Sequence, residues 1–258
     1  MSEALRMWFM DQALARRLER AEGVVGTTFT EATQRVAPHR GAMWRDFDGT
    51  YAIFDGPDSP ITQTFGLGLF APVAVDALAE IEAFALLAER GYRPNDLSTV
   101  LVQPLDAATS APPNPPASAL RVRAVDAADH AAWIETSVAG WCDDPAVTDI
   151  MRSMASIAAA NAAMTHFIVE YDGAPIASAS LGLHEGVALL AGASTIPAGR
   201  SLGAQALLLA VRLAEARRRG CDLAMMVTTP GSTSQRNAER RGFRVAYTRT
   251  KWRTAPSQ

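Results

Sequence analysis

The sequence predicts a mixed α/β (α+β) protein organised in two halves. Three observations carry that expectation. Phe167–Tyr171, Ile176–Leu183 and Val187–Thr195 are apolar-rich runs separated by Asp172-Gly173 and Glu185-Gly186, the spacing of consecutive hairpins. A helical stripe ending at Gly220 then leads into Leu223-Ala224-Met225-Met226-Val227, a near-continuous apolar run suited to a strand buried on both faces. Upstream, Pro112-Pro113-Asn114-Pro115-Pro116 fixes φ and removes amide donors. Residues 106–118 therefore read as a stiff extended linker between a domain at 1–105 and one at 119–258.

The first half is expected to open with a packing helix over roughly Glu3 to Ala21, where Leu5, Phe9, Leu14 and Leu18 share a stripe. Thr50-Tyr51-Ala52-Ile53-Phe54, the turn Asp55-Gly56-Pro57-Asp58 and the run Ile61 to Phe70 read as strand, turn, strand. A helix from about Pro72 to Arg90 ends at Gly91, and Leu101-Val102 closes the half as a short strand. The second half opens with the strand Leu120-Arg121-Val122-Arg123 and helices at about 127–138 and 145–160. After the three hairpin strands comes a helix with Leu202, Ala206, Leu209 and Leu213 on one stripe, so that strand, helix and strand form a crossover. A short helix from Ser232 to Arg241 and a strand from Phe243 to Tyr247 complete it.

Bulk properties exclude several classes. The 258 residues are 48% apolar and 20% charged, and no run approaches the roughly 18 uncharged apolar residues of a membrane span. Glu3, Asp11 and Glu19 interrupt the first twenty residues, so no signal peptide is expected and the cytoplasm is the expected compartment. Cys142 and Cys221 lie far apart, and His39, His130, His166 and His184 share no ligand spacing, so neither disulfides nor a metal site are expected. Arg217-Arg218-Arg219 sits in the last turn of a helix, where cations favour the macrodipole without any nucleic acid.

Chemistry is expected at the junction Thr195-Ile196-Pro197-Ala198-Gly199-Arg200-Ser201-Leu202-Gly203-Ala204-Gln205, which runs from a strand into a helix N-terminus. Unpaired N–H groups and the positive dipole end make such a place an anion site. Gly203 lets the backbone approach a pyrophosphate, and Arg200 supplies a bidentate positive partner.

In that context the second half resembles the GNAT acyltransferases, which move an acetyl group from acetyl-CoA to an amine. The resemblance covers about residues 119–252. The family's Arg/Gln-x-x-Gly-x-Gly/Ala loop falls on Arg200, Gly203 and Gln205, with Pro197 before it, Leu207-Leu208-Leu209 after it and Gly242-Phe243 at the end of the later helix. It implies that the strand ending at Ser194-Thr195-Ile196 splays from its parallel neighbour and pairs with pantetheine. The amides of Arg200, Ser201, Leu202, Gly203, Ala204 and Gln205 would hold the pyrophosphate, with Ser232 and Asn237 near the pantetheine arm or the thiolate. The acceptor is expected to be a small amine or amino-acid-like molecule attacking the thioester directly. No metal, membrane or nucleic acid is implied, and a monomer or homodimer is expected.

The pattern also departs from the family. Ser201 replaces the first glycine of the usual Arg-Gly-Arg-Gly-x-Gly loop, Leu202 the second arginine and Gln205 the last small residue. Ala238 stands where many members carry a tyrosine general acid, leaving Tyr247 as the substitute, and Glu185, Asp143 and Asp144 as candidate bases. These departures leave open a second reading, a non-catalytic acyl-CoA-binding or interaction module. The first half looks like a degenerate, shortened copy of the same fold: Pro60 to Gly68 and Glu89-Arg90-Gly91-Tyr92 echo its core, without an Arg-x-x-Gly loop between them. The net charge of −3 averages unlike parts, since residues 1–117 carry nine basic and fifteen acidic residues, while 195–258 carry twelve basic and three acidic.

Overall fold

The computed structural model describes residues 11–56, 59–66, 69–70, 92–105, 120–141 and 145–254. The expected start of the first helix, the helix at 72–90, the proline-rich linker, Cys142, Asp143 and Asp144 lie outside them.

The first helix, α1 (Gln12–Val36), starts where the Asp11 carboxylate accepts from Leu14 N at 2.7 Å and runs well past its expected end at Ala21. The sequence there, Gly23-Val24-Val25-Gly26-Thr27-Thr28, has low helix propensity, and packing overrides it. A Cβ on Gly23 would lie 2.5 Å from Tyr51 and one on Gly26 2.6 Å from Ile53, so both glycines are points of close approach. The approaching strands are β1 (Met43–Phe47), β2 (Thr50–Phe54) and β3 (Gln63–Phe65), an antiparallel meander. Of the expected second strand over 61–70, the described residues hold β3 at Gln63–Phe65, followed by Gly66 with φ +75°. Buried Asp55 fixes the meander to the helix, accepting from Thr33 Oγ1, Ser59 Oγ and Arg40 Nη2 at 2.5, 2.6 and 3.2 Å.

The larger sheet has seven strands. In chain order these are β4 (Tyr92–Pro104), β5 (Leu120–Ala124), β6 (Met164–Tyr171), β7 (Ala174–His184), β8 (Val187–Thr195), β9 (Leu223–Thr228) and β10 (Arg244–Thr254), arranged β10-β4-β9-β8-β7-β6-β5. All neighbours are antiparallel except β8 and β9. The helices are α2 (His130–Trp141), α3 (Pro145–Ala159), α4 (Ala204–Arg218) and α5 (Thr233–Glu239). Where a two-residue strand was expected at Leu101-Val102, β4 is thirteen residues long and hydrogen-bonded on both edges to strands from beyond residue 220. The boundary expected at residue 105 thus divides elements that share one sheet.

Side-chain alternation assigns the two faces. Val100, Val102, Val187, Leu189, Leu223 and Met225 pack on Leu18 and Ala21 of α1. Leu101, Ala188, Leu190 and Ala224 point the other way, onto Leu208, Leu209 and Leu213 of α4. Helix α2 shares the α1 face: a Cβ on its Gly140 would lie 2.5 Å from Ser194 Oγ. Helix α1 and the last strand meet on this face. Arg249 of β10 donates to Glu19 Oε1 at 2.9 Å and to both Glu22 oxygens at 2.7 Å, and Tyr247 donates its hydroxyl to Glu19. Burial raises the Glu22 carboxyl above its ordinary range, against the pull of Arg249.

Arg249→Ala is expected to destabilise the fold by about 3 kcal/mol, because it leaves two largely buried carboxylates without their cation; denaturant unfolding checks this. Burial also depresses buried His166 of β6 from 6.5 to about 4. The unfolded chain therefore binds this proton first. The stability that the neutral ring contributes is present above about pH 6.5 and is lost as pH falls through about 4. Unfolding midpoints measured between pH 7 and 4 should fall, and more steeply than in His166→Gln.

Candidate functional site

The parallel ladder between β8 and β9 holds only three pairs, Val187 with Leu223, Ala188 with Ala224 and Leu189 with Met225. Beyond them β9 stays with β4 as far as Thr228 opposite Thr99, and β8 stays with β7 as far as Thr195 opposite Ala177. The two strands part, and the backbone of β8 past Leu189 has no β9 partner. A bulge accompanies the parting: Ser194 pairs with Ser178 and Ala191 with Ser180, so Gly192 and Ala193 oppose Ala179 alone, and Gly192 takes φ +58°.

Arg212 braces this bulge from the α4 face. It is 2% exposed and lies on the apolar side of the helix with Leu208, Leu209, Leu213 and Ala216. Its Nη1 donates to Ser180 O and Ala191 O at 3.3 and 3.4 Å, and its Nε to Leu208 O at 3.1 Å. Burial lowers its pKa to about 10, so the guanidinium stays charged.

The chain leaves β8 through a 3-10 turn, Pro197–Gly199, in which Gly199 lies against Ile176, where a Cβ would come within 2.8 Å. Ser201 then adopts φ +67° and Gly203 φ +90°, and α4 begins with no side-chain cap on its first amides. Space is open beside Gly203, with no atom of the described residues within 4 Å of an added Cβ. Gln205 is committed to the loop itself: Nε2 donates to Ser194 O at 2.9 Å and to Thr195 Oγ1 at 2.7 Å, tying the helix start to the end of β8. Its backbone N–H is what it can offer a ligand. Arg200 and Leu202 are exposed, while Ser194 is buried, its hydroxyl 3.1 Å from Ser178 Oγ and donating to Ser137 O at 3.3 Å. Thus Ser194, Thr195, Ile196 and the loop from Arg200 to Gln205 are contiguous at the open end of the parted strands.

The remaining expected site residues do other work. Ser232 caps α5, accepting from Gln235 N at 3.1 Å, and exposed Asn237 accepts from Arg240 Nη1 at 3.1 Å. The expected acid and base both lie away from the parted end of the strands. Tyr247 lies on β10, separated from the parted strand by β4 and β9, and its hydroxyl is bound to Glu19. Burial and that carboxylate push its pKa further up from 10. Glu185 occupies the β7–β8 turn with φ +43°, at the closed end of β8. Nine residues of strand, about 25–30 Å at the usual rise, separate it from the open end.

Sequence reasoning missed Arg212 and the bulge, though both left signals. An arginine in an otherwise apolar helical stripe and a glycine inside an apolar strand each mark a break in pattern. The strain at Ser201 gives a prediction. Ser201→Gly should stabilise the fold by about 1 kcal/mol, since an L side chain in the left-handed region costs about that much; an unchanged or lower unfolding midpoint would contradict it.

No protein-family model and no curated protein matches the sequence. Solved structures do resemble it. A GCN5-related N-acetyltransferase from Kribbella flavida aligns at TM-score 0.50 and 20% identity, over 68% of this chain and 64% of its own. One from Sphaerobacter thermophilus aligns at TM-score 0.50 and 20% identity, over 66% and 55%. A Drosophila protein aligns at TM-score 0.52 and 16% identity, over 84% and 75%. The matched region spans less than two thirds of the length of either acetyltransferase. With its parted parallel strands and a helix start tied to the end of β8, the chain has the fold of the GNAT N-acetyltransferases.

Proposed function

We propose that this protein is an acetyl-CoA-dependent N-acetyltransferase acting on a small amine or amino-acid-like acceptor. The observation that carries the reading is the divergence of β8 and β9 immediately before an uncapped helix start, with open space at Gly203. Those features fit an elongated polyanionic thioester. The amides from Arg200 to Gln205 would hold the pyrophosphate, and the edge of β8 that has left β9, past Leu189, would pair with the pantetheine amides. Acetyl-CoA would supply an acetyl group already activated for transfer. A backbone N–H at the Gly192–Ala193 bulge would donate to the carbonyl oxygen as charge develops there. The basic excess of residues 195–258 would raise the local concentration of the polyanion.

A second reading is favoured by one observation, the hydrogen bond that engages the candidate acid Tyr247 with Glu19. On that reading the chain binds acyl-CoA without turnover. Thiol release from acetyl-CoA over a panel of amines separates the two: turnover with any acceptor excludes the binding module, and saturable binding without turnover excludes the enzyme. Gly203→Glu puts bulk and negative charge beside the first helical amides, and is expected to weaken CoA binding by about 100-fold or more. Unchanged affinity in the folded variant would move the site elsewhere. Wild-type affinity should also fall as salt rises.

A further inference from the structure

The α1 face of the bulge carries a polar pair that the acyl-transfer reading leaves unused. His166 and Ser180 are paired across β6 and β7, each is 4% exposed, and His166 Nδ1 lies 2.8 Å from Ser180 Oγ. The ring packs on Trp133 of α2, with centroids 4.4 Å apart, and His130 meets it edge-on at 6.5 Å. Burial keeps His166 neutral at ordinary pH, so one ring nitrogen is an acceptor. Nε2 is buried without a hydrogen bond, and the Ala158 carbonyl is the backbone group that favours a proton on the ring. With the proton on Nε2, Nδ1 receives the Ser180 hydroxyl proton, and Ser180 Oγ keeps lone pairs for another donor.

Among the described residues, the room beside Gly192 adjoins that oxygen. A Cβ built on exposed Gly192 would meet Ser180 Oγ at 3.6 Å and, chain neighbours aside, no other atom of the described residues within 4 Å. The hydroxyl therefore borders the bulge from one face while Arg212 holds the same stretch of β7 and β8 from the other.

We propose that Ser180, its proton held by His166, positions the acceptor by accepting a hydrogen bond from its amine N–H beside the Gly192 bulge. This inference rests on the acyl-transfer reading and deepens it. The hydrogen bond would direct the nitrogen lone pair toward a thioester carbonyl lying along β8. His166 acts only through Ser180, as a positioning residue: because its ring nitrogen takes the hydroxyl proton, the oxygen faces the site as an acceptor.

Two measurements test the proposal. Ring 15N shifts of His166 in the ligand-free protein should report the neutral Nε2–H form, and an Nδ1–H form overturns it. Calorimetric titration of the CoA-bound full chain with benzylamine, glycinamide and spermidine supplies the second. Ser180→Ala should weaken the tightest of these amines about tenfold, the worth of one hydrogen bond, with CoA affinity unchanged. His166→Leu should match that loss, and where it fails to fold the Ser180→Ala titration decides. Unchanged amine affinity in Ser180→Ala, or no binding of any of the three amines to the CoA-bound wild type, overturns the proposal and leaves the CoA site standing. A wild type that does not bind CoA overturns the reading beneath it.

Discussion

Just past the point where β8 leaves β9 it carries a bulge at Gly192 and Ala193, and the rest of the site depends on that parting. A strand with one extra residue bends and twists away from any partner that lacks a matching irregularity. Here β7 absorbs the mismatch opposite Ala179, and β9 is left behind after Leu189. Arg212 supports the arrangement from the opposite face by donating to both carbonyls of the Ser180–Ala191 pair, at one end of the disturbed stretch. A buried guanidinium with carbonyl partners is an expensive device. Its position makes sense where a regular ladder would close the very opening the fold provides.

The loop that follows depends on the same parting. Gln205 can reach Ser194 and Thr195 because β8 ends alongside the start of α4. Gly199 and Gly140 let Ile176 and Ser194 approach from two sides, so the strand end is clamped between a helix and a neighbouring strand. With the Ser194 and Gln205 side chains engaged in this way, these positions offer the opening their backbone, and backbone recognition reads a polyanion's shape and charge more than its identity.

Much of this architecture was legible in the sequence. The meander of β6, β7 and β8 was readable because Asp172-Gly173 and Glu185-Gly186 do what hairpin pairs do, all four taking positive φ between 43° and 81°. The span Val187–Thr195 and the start of the short helix at Ser232 were readable for equally local reasons. What escaped depends on partners distant in sequence. Gly23 and Gly26 look like helix breakers until Tyr51 and Ile53 are brought against them. Tyr247 looks available until Glu19, more than two hundred residues earlier, is found beneath it. Glu185 looked near the site because it adjoins the correct strand, and the direction in which the strands part was not encoded locally.

Strand β4 carries a consequence for how the molecule assembles. It lies between β9 and β10, yet it is synthesised before either, and Val100 must wait for Val227 to emerge. Closing a loop of well over a hundred residues costs only a few kcal/mol, because that entropy grows with the logarithm of length. Its kinetic cost is larger, since long-range antiparallel pairing is slow and leaves a strand edge exposed meanwhile. On the ribosome the seven-stranded sheet is therefore a late event. A fragment cut at the proline-rich segment would lack the strand that joins β9 to β10, so the opening and the helix above it belong to the chain as a whole.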